Sequence, residues 1–432
     1  MKLPAYPKYK PSGVEWLGDV PESWEVKQLK WAVMFQRGHD LPADEREEGS
    51  VPLVSSSGIS ATHSRAVAKA PGIVTGRYGT IGQFHLITND YWPLNTTLYA
   101  IDLHGNEPRF LARMLAHLSP LFLLNAVKSA VPGIDRNDIH PIAAAVPPVA
   151  EQRTIADFLD REIQKIDTLV AKKRTLVERL KEKRAALISR TVTRGLPPDA
   201  ARAAGLDPHP KLKPSGIDWL GDVPAHWEVK RLGHLSIVVR GASPRPAGDP
   251  RYFEGDFIPW ITVGELTKDN SPYLTATESM LTREGAAISR IMQEGTLVLT
   301  NSGATLGVPK ILGITGCAND GVVAFENLRS DANRLFLYYF LSSVTENLRD
   351  RIKQGSGQPN LNTDIVKALV APYPSSAEQS AIVDYLDGET LKVDRLVAKV
   401  ESAIERLQEY RTALITAAVT GKIDVRQASS SG

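Results

Sequence analysis

The stretch Pro7-Lys-Tyr-Lys-Pro-Ser-Gly-Val-Glu-Trp-Leu-Gly-Asp-Val-Pro-Glu-Ser-Trp-Glu-Val-Lys-Gln-Leu29 returns as Pro210 to Leu232, with 17 of its 23 positions identical. Trp16 and Trp219 lie 203 residues apart, as do Trp24 and Trp227, and the same offset pairs Arg37-Gly38 with Arg240-Gly241. A second repeat follows at an offset of 227. Glu151-Gln152, Asp157, Leu159-Asp160, Leu169-Val-Ala-Lys172, Glu178-Arg-Leu180 and Ala186-Leu-Ile188 recur as Glu378-Gln379, Asp384, Leu386-Asp387, Leu396-Val-Ala-Lys399, Glu405-Arg-Leu407 and Ala413-Leu-Ile415. The order is A–B–A′–B′, with a period far too long for a solenoid. Each half is a domain followed by an appended element, and the growth in offset places extra loop residues inside the second domain. Such a layout points to a pseudo-twofold molecule.

The appended elements carry heptad spacing. Ile166, Val170, Val177, Leu180 and Leu187 alternate steps of four and three, with Lys173 and Arg184 at the missing positions. The second copy reads Val393, Val397, Val400, Ile404, Leu407, Arg411, Leu414, with neither Pro nor Gly between Thr390 and Thr420. This predicts long helices over 153–193 and 380–420, packed on each other antiparallel as a coiled coil. At about 1.5 Å per residue each gives a rod on the order of 50 Å, suited to a spacer. The alternative is an amphipathic helix packed on its own domain. Residues 161–194 hold eleven Lys/Arg against four Asp/Glu, whereas 388–421 hold five of each, so only the first helix offers strong attraction to a polyanion.

The segments between are different. Short apolar runs such as Gly72-Ile-Val-Thr75, Leu98-Tyr-Ala-Ile101, Gly295-Thr-Leu-Val-Leu299 and Gly321-Val-Val-Ala-Phe325 are punctuated by Gly, Pro, Asn and Asp and read as strands. Arg109–Leu118 and Arg334–Leu348 read as helices. The expected fold class is α+β, mixed α/β. Its division is a first globular domain at 1–150, a first spacer helix at 151–195, a linker at 196–210, a second domain at 211–377, a second spacer helix at 378–425 and a tail at 426–432. Prolines and glycines between Gly195 and Pro210 forbid a long continuous helix there.

Bulk properties narrow the function. A chain of 432 residues with 42% apolar composition supplies more than one core. One cysteine, Cys317, excludes an internal disulfide framework and a multi-cysteine zinc site, and reads as a small buried hydrophobe. No run approaches a membrane span, and Met1-Lys2-Leu3-Pro4-Ala5-Tyr6 lacks the apolar run of a signal peptide, so a cytoplasmic location is expected. The nine histidines never cluster at ligand spacing. Val146-Pro-Pro-Val149 and Leu196-Pro-Pro-Asp199 lack the acid or amide before, and the aromatic after, that an amino-methyltransferase needs. Gly421-Lys422 is followed by Ile423, not Ser or Thr, so it is no P-loop. Gly76-Arg-Tyr-Gly-Thr-Ile-Gly82 reads as a sheet turn. The expectation is a non-catalytic chain without a cofactor or metal of its own.

What remains is a reading surface. Residue types suited to DNA concentrate in loops of the first domain: Ser55, Ser56, Ser57, His63, Arg65, Lys69, Arg77, Tyr78, Lys128, Arg136 and Asn137. The second offers Arg240, Ser243, Arg245, Trp260, Thr262, Asn301, Ser302, Lys310, Lys353, Gln354, Gln358 and Asn360. Cations seek phosphates and amides bind adenine bidentately.

These phrases resemble specificity subunits of type I restriction–modification systems over nearly the whole chain. The most specific parts are the opening phrases at 11–24 and 214–227 and the Glu-Gln-x-x-Ile-x-x-(Phe/Tyr)-Leu-Asp helix openings at 151–160 and 378–387. Gly76–Gly82, Ser302-Gly-Ala-Thr-Leu-Gly307, Ile258-Pro-Trp-Ile-Thr262 and Gly355-Ser-Gly-Gln-Pro-Asn-Leu361 add to it. The first domain departs from the last pattern, with Ala130-Val-Pro-Gly-Ile134 in its place. The resemblance implies two target-recognition domains reading an asymmetric, bipartite site in double-stranded DNA. It also implies docking of two methyltransferase subunits and of restriction/translocase subunits, with S-adenosylmethionine, ATP and Mg²⁺ on those partners. The competing readings are a non-DNA coiled-coil scaffold and a single-chain methyltransferase with built-in specificity.

Overall fold

Heptad spacing becomes two helices, Val149–Arg194 and Ser376–Val419, in the computed structural model of the chain. The structure describes residues 3–126, 133–303, 305–353 and 361–427. Contacts divide the chain into one unit of residues 1–175 with 401–432 and another of residues 176–400, so the division falls inside both helices. Each unit is described by itself.

In the first unit, an antiparallel sheet runs in the order Met34–Arg37, Thr97–Asp102, Gly72–Gly76, Phe84–Ile87. The helix Pro108–His117 packs Phe110, Leu111, Met114 and Leu115 into the core, the i, i+1, i+4, i+5 pattern of an amphipathic face. A smaller sheet places Val51–Ser55 between Gly58–His63, antiparallel, and Trp92–Pro93, parallel. Ala143–Val146 pairs with Glu25–Gln28 and delivers the chain into the long helix. There the buried Glu151 carboxylate accepts hydrogen bonds from Tyr6 Oη at 2.6 Å and Trp24 Nε1 at 3.0 Å. The feature that the two copies of the phrase share is the packing: the Trp24 ring lies edge-on to Phe110 in this core, as the Trp227 ring does to Phe336 in the second unit. Ile163, Ile166 and Val170 share that core with Leu414, Ala418 and Val419.

The second unit repeats the sheet strand for strand: Ile237–Arg240, Val322–Glu326, Leu297–Thr300, Pro309–Leu312, with Tyr273–Leu274 added in parallel at the edge. Its smaller sheet again has a parallel pair, Ile258–Ile261 with Gly316–Ala318. The short helices Pro250–Phe253, Val263–Leu266 and Arg283–Ala287 and the strand Tyr273–Leu274 all lie between Arg240 and Leu297, where the repeat offset grows. Arg334–Lys353 is a helix, and Ile188 and Val192 share a core with Ile382, Val383 and Leu386. The stretch between Gly195 and Pro210 contains one short helix, Pro198–Ala203.

Along both long helices the heptad stripe is the least exposed face. Ile166, Val170, Val177, Val393 and Leu414 are buried; Leu180, Leu187, Val397, Val400, Ile404 and Leu407 are half-buried; Leu169, Leu176, Leu391 and Leu396, off the stripe, are exposed. In the first unit Arg411 Nε donates to Asp167 Oδ1 at 3.1 Å, and in the second Arg184 Nε lies 2.9 Å from Asp394 Oδ1. Among the described residues no helix is long and apolar enough to cross a membrane.

Candidate nucleic-acid interface

A strand leaving a sheet must redirect its backbone bonds, and in both units it does so in the same way. Arg77 follows the strand Gly72–Gly76; its N–H donates to Thr96 O at 2.9 Å and its carbonyl accepts from Ile134 N at 3.0 Å. Asn301 follows Leu297–Thr300; its N–H donates to Gly321 O at 2.9 Å and its carbonyl accepts from Leu361 N at 2.7 Å. Both residues thus sit where the central strand turns out of the sheet, clamped between a neighbouring loop and a returning segment. Each also carries a buried polar atom without a hydrogen-bond partner, Nε of Arg77 and Oδ1 of Asn301. The Asn301 side chain is fully buried, so it supports the turn and offers no edge to a base.

Around Arg77 three loops converge. The turn Ser55–Gly58 is held by Ser55 Oγ donating to Gly58 O at 3.1 Å and lying 3.1 Å from Ser57 Oγ. Thr80 Oγ1 donates to Ser56 O and joins it to the next turn. The Arg77 guanidinium lies over the exposed Tyr78 ring at 5.1 Å. Gly133 forms a bridge with Tyr78 and leads to Asp135, which caps a short helix by accepting from Asn137 N at 2.6 Å. Arg136 and Asn137 are exposed there. Ser55, Ser56, Ser57, Arg77, Tyr78, Arg136 and Asn137 therefore form one polar surface with an aromatic face, chemistry suited to phosphates and base edges.

The other candidates of the first unit are engaged elsewhere. His63 is at the far end of the hairpin, opposite Val51; it is buried against Trp92 and its Nδ1 accepts from Glu47 N at 3.2 Å. Arg65 lies 5.6 Å over the same Trp92 ring. Lys69 pairs with Asp90 at 2.7 Å, and that hydrogen bond together with the Ala70 N–H holds the Asp90 carboxyl below the ordinary aspartate range. Lys128 lies outside the described residues.

In the second unit the candidates gather around Asp320, which the sequence reading passed over. Ser243 Oγ donates to Asp320 Oδ1 at 2.7 Å, Arg245 to Oδ2 at 3.0 Å, Arg240 Nε to the Asp320 carbonyl at 2.5 Å and Asn301 Nδ2 to the same carbonyl at 3.2 Å. The Ser243 hydrogen bond, then the charges of Arg245 and Arg240, hold this carboxyl below its ordinary range against the opposing effect of burial. Ser302 continues the turn from Asn301. Asp320 went unnoticed because an acid among cations has the wrong sign for a polyanion; only its position, equivalent to Asn95, marks it.

Three further residues serve the fold. Lys310 is buried, its ammonium donating to Asp269 O at 3.0 Å, Asp269 Oδ1 at 2.5 Å and the Ser271 carbonyl, so a phosphate has no access to it. Trp260 is buried in a core with Phe253, ring centres 5.7 Å apart. Thr262 caps the helix Val263–Leu266, accepting from Glu265 N at 3.3 Å. Gln354, Gln358, Asn360 and the side chain of Lys353 lie outside the described residues.

The family description of the type I restriction modification DNA specificity domain matches residues 21–179 and 224–406. The chain belongs to this family. Its role there is DNA sequence specificity, and the two matched segments each contain one of the sheets and turns above. The MjaIX specificity subunit of Methanocaldococcus jannaschii is 32% identical over 173 residues, 39% of this chain and 38% of that protein. The putative MjaX specificity subunit of the same organism is 20% identical over 443 residues, 95% of this chain and 96% of that protein. The fold is shared with the HsdS subunit from Thermoanaerobacter tengcongensis, with a TM-score of 0.53 and 18% identity over 94% of this chain and 98% of that one.

Proposed function

We propose that the chain reads an asymmetric, bipartite site in double-stranded DNA, one half through the Arg77 turn and the other through the loops around Asp320, where Arg240 and Arg245 are exposed. The observation that carries this reading is that the same backbone anchors frame Arg77 beside the exposed Tyr78 in one unit and, in the other, the buried Asn301, which braces the Asp320 loop and its exposed arginines. Equal frameworks that present unequal side chains read unequal half-sites, because each side chain suits different base edges.

The two long helices pair antiparallel as a coiled coil about a pseudo-twofold axis in this account. Supporting it, the two inter-helix ion pairs step 17 residues forward on the first helix (167 to 184) and 17 back on the second (411 to 394). Moreover Asp394 and Arg411 are the repeat equivalents of Asp167 and Arg184, so the contact is self-complementary, as a twofold requires. Paired helices would fix the distance between the two read segments and offer equivalent faces to two methyltransferase subunits, with restriction/translocase subunits joining them. The chain itself catalyses nothing and carries no cofactor; S-adenosylmethionine, ATP and Mg²⁺ belong to the partners, and the assembly works in the cytoplasm. The domain division at 1–150, 151–195, 196–210, 211–377, 378–425 and 426–432 is part of the proposal.

Exchange of residues 30–145 for the equivalent segment of a relative tests the reading. One half-site changes and the other persists; alteration of both halves sinks the division into two readers.

A further inference from the structure

The registers of the two units align a second pair of positions beside the reading turns. Gly38 N donates to Thr97 O at 3.0 Å, and Gly241 N to Val322 O at 2.9 Å. Both glycines are required by close approach, because a Cβ would meet Leu94 O at 2.1 Å in one unit and Asn319 O at 2.1 Å in the other. Two residues onward from each glycine and two back along each partner strand, Asp40 faces Asn95 and Ser243 faces Asp320. Both pairs are bonded: Asn95 Nδ2 donates to Asp40 Oδ1, and Ser243 Oγ donates to Asp320 Oδ1 at 2.7 Å. The carboxylate has changed sides of the loop while the cross-loop contact has stayed.

Each pair faces an arginine at matched strand ends. Arg37 lies 3.8 Å from Asp40 Oδ1, and Arg240 Nε donates to the Asp320 carbonyl at 2.5 Å. The side chains of Arg37 and Asp40 are 57% and 72% exposed, too open for the contact to contribute much stability. The cross-loop contact is rebuilt in both units with different residues, which ties its role to the position and not to one residue type.

We propose that Asp40–Asn95 and Ser243–Asp320 are positioning clamps, one in each reader, which orient Arg37 and Arg240 toward the duplex and thereby set base preference. The proposal rests on the DNA-reading function above. An arginine discriminates a base only when its planar fork is held in one orientation; released, it seeks phosphates of any sequence.

The test uses the full-length chain and a duplex selected by the wild type from a random pool, with every base pair of the selected site then substituted in turn. Ser243→Ala removes both bonds that Ser243 makes to Asp320, the donation to its Oδ1 at 2.7 Å and the donation of its N–H to Ser243 Oγ at 3.2 Å, and so frees the carbonyl that holds Arg240. It flattens preference about tenfold at one or two base pairs of one half-site, within the range of a bidentate contact, and raises affinity for unrelated duplex. Asn95→Ala, which removes the donor to Asp40, does the same in the other half-site only. Lower affinity that is uniform over all substitutions, or unchanged preference in both variants while Arg240→Ala and Arg37→Ala weaken binding, overturns the clamps. Unchanged binding in both arginine variants removes these edges from the interface altogether. A wild type that selects no sequence overturns the DNA reading itself.

Discussion

Arg184 and Asp394 form an ion pair, Nε to Oδ1 at 2.9 Å, between the two long helices within one unit. The same two repeat positions meet again, exchanged, as Arg411 and Asp167 at 3.1 Å in the other. Equivalent pairs should behave equivalently. Each alanine substitution at Arg184 or Asp394 is expected to cost about 0.5–1 kcal/mol, and the Arg411 and Asp167 variants the same. A double-mutant cycle measured by denaturant unfolding should return a favourable coupling for each pair, and coupling in one pair alone would contradict the self-complementary pairing.

Leu414 is buried with Ile166 and Val170 in the core of the first unit. Leu414→Ala should destabilise by about 2–3 kcal/mol, through lost transfer energy and a residual cavity. Leu169→Ala, at an exposed position off the stripe, should change the unfolding midpoint little. Equal effects at both sites would show that the heptad stripe is not the packed face.

The helices were legible in the sequence because a strict 3.5-residue period leaves one arrangement for an apolar stripe, and because Trp24 and Trp227 announced a domain copied whole. The turn Gly76–Gly82 was legible from its glycines. The individual contacts were not. Lys310 looks like any phosphate-seeking lysine until the strand Pro309–Leu312 buries it beneath Asp269. Lys69 is tied to Asp90, 21 residues away, and Trp260 faces a core completed by Phe253. Burial and partnering depend on distant segments, so residue type alone overstates the interface. Asp320 shows the opposite error, an acid that organises the cations around it.

Arg77→Ala should weaken duplex binding and abolish preference at one base pair, costing about 1–3 kcal/mol there. Arg136→Ala, at an exposed helix start, should weaken binding to all sequences evenly and reduce the salt slope by about 1. Binding isotherms over a salt series distinguish the two; matching behaviour would mean that Arg77 contacts backbone only.

Asp424 is buried and hydrogen-bonded by Arg426 at 2.8 and 2.6 Å, which holds its carboxyl below the ordinary aspartate value of 3.8 against the effect of burial. A depressed folded value means that the contribution is complete above 3.8 and is lost as pH falls through that lower value. Asp424→Asn should cost about 2 kcal/mol at neutral pH and make the variant less sensitive to acid below that range. Unfolding followed from pH 7 to pH 2 checks this; an unchanged acid response in the variant would remove Asp424 from the account.

The central claim, two unequal readers on one chain, is tested most directly by selecting duplexes from a random pool with the full-length chain and sequencing those retained. The account predicts two short fixed runs, unrelated to each other, separated by a gap of constant length and unconstrained sequence, with Arg77→Ala relaxing one run and Arg240→Ala the other. A single contiguous run, or two runs that both change in either variant, would contradict it.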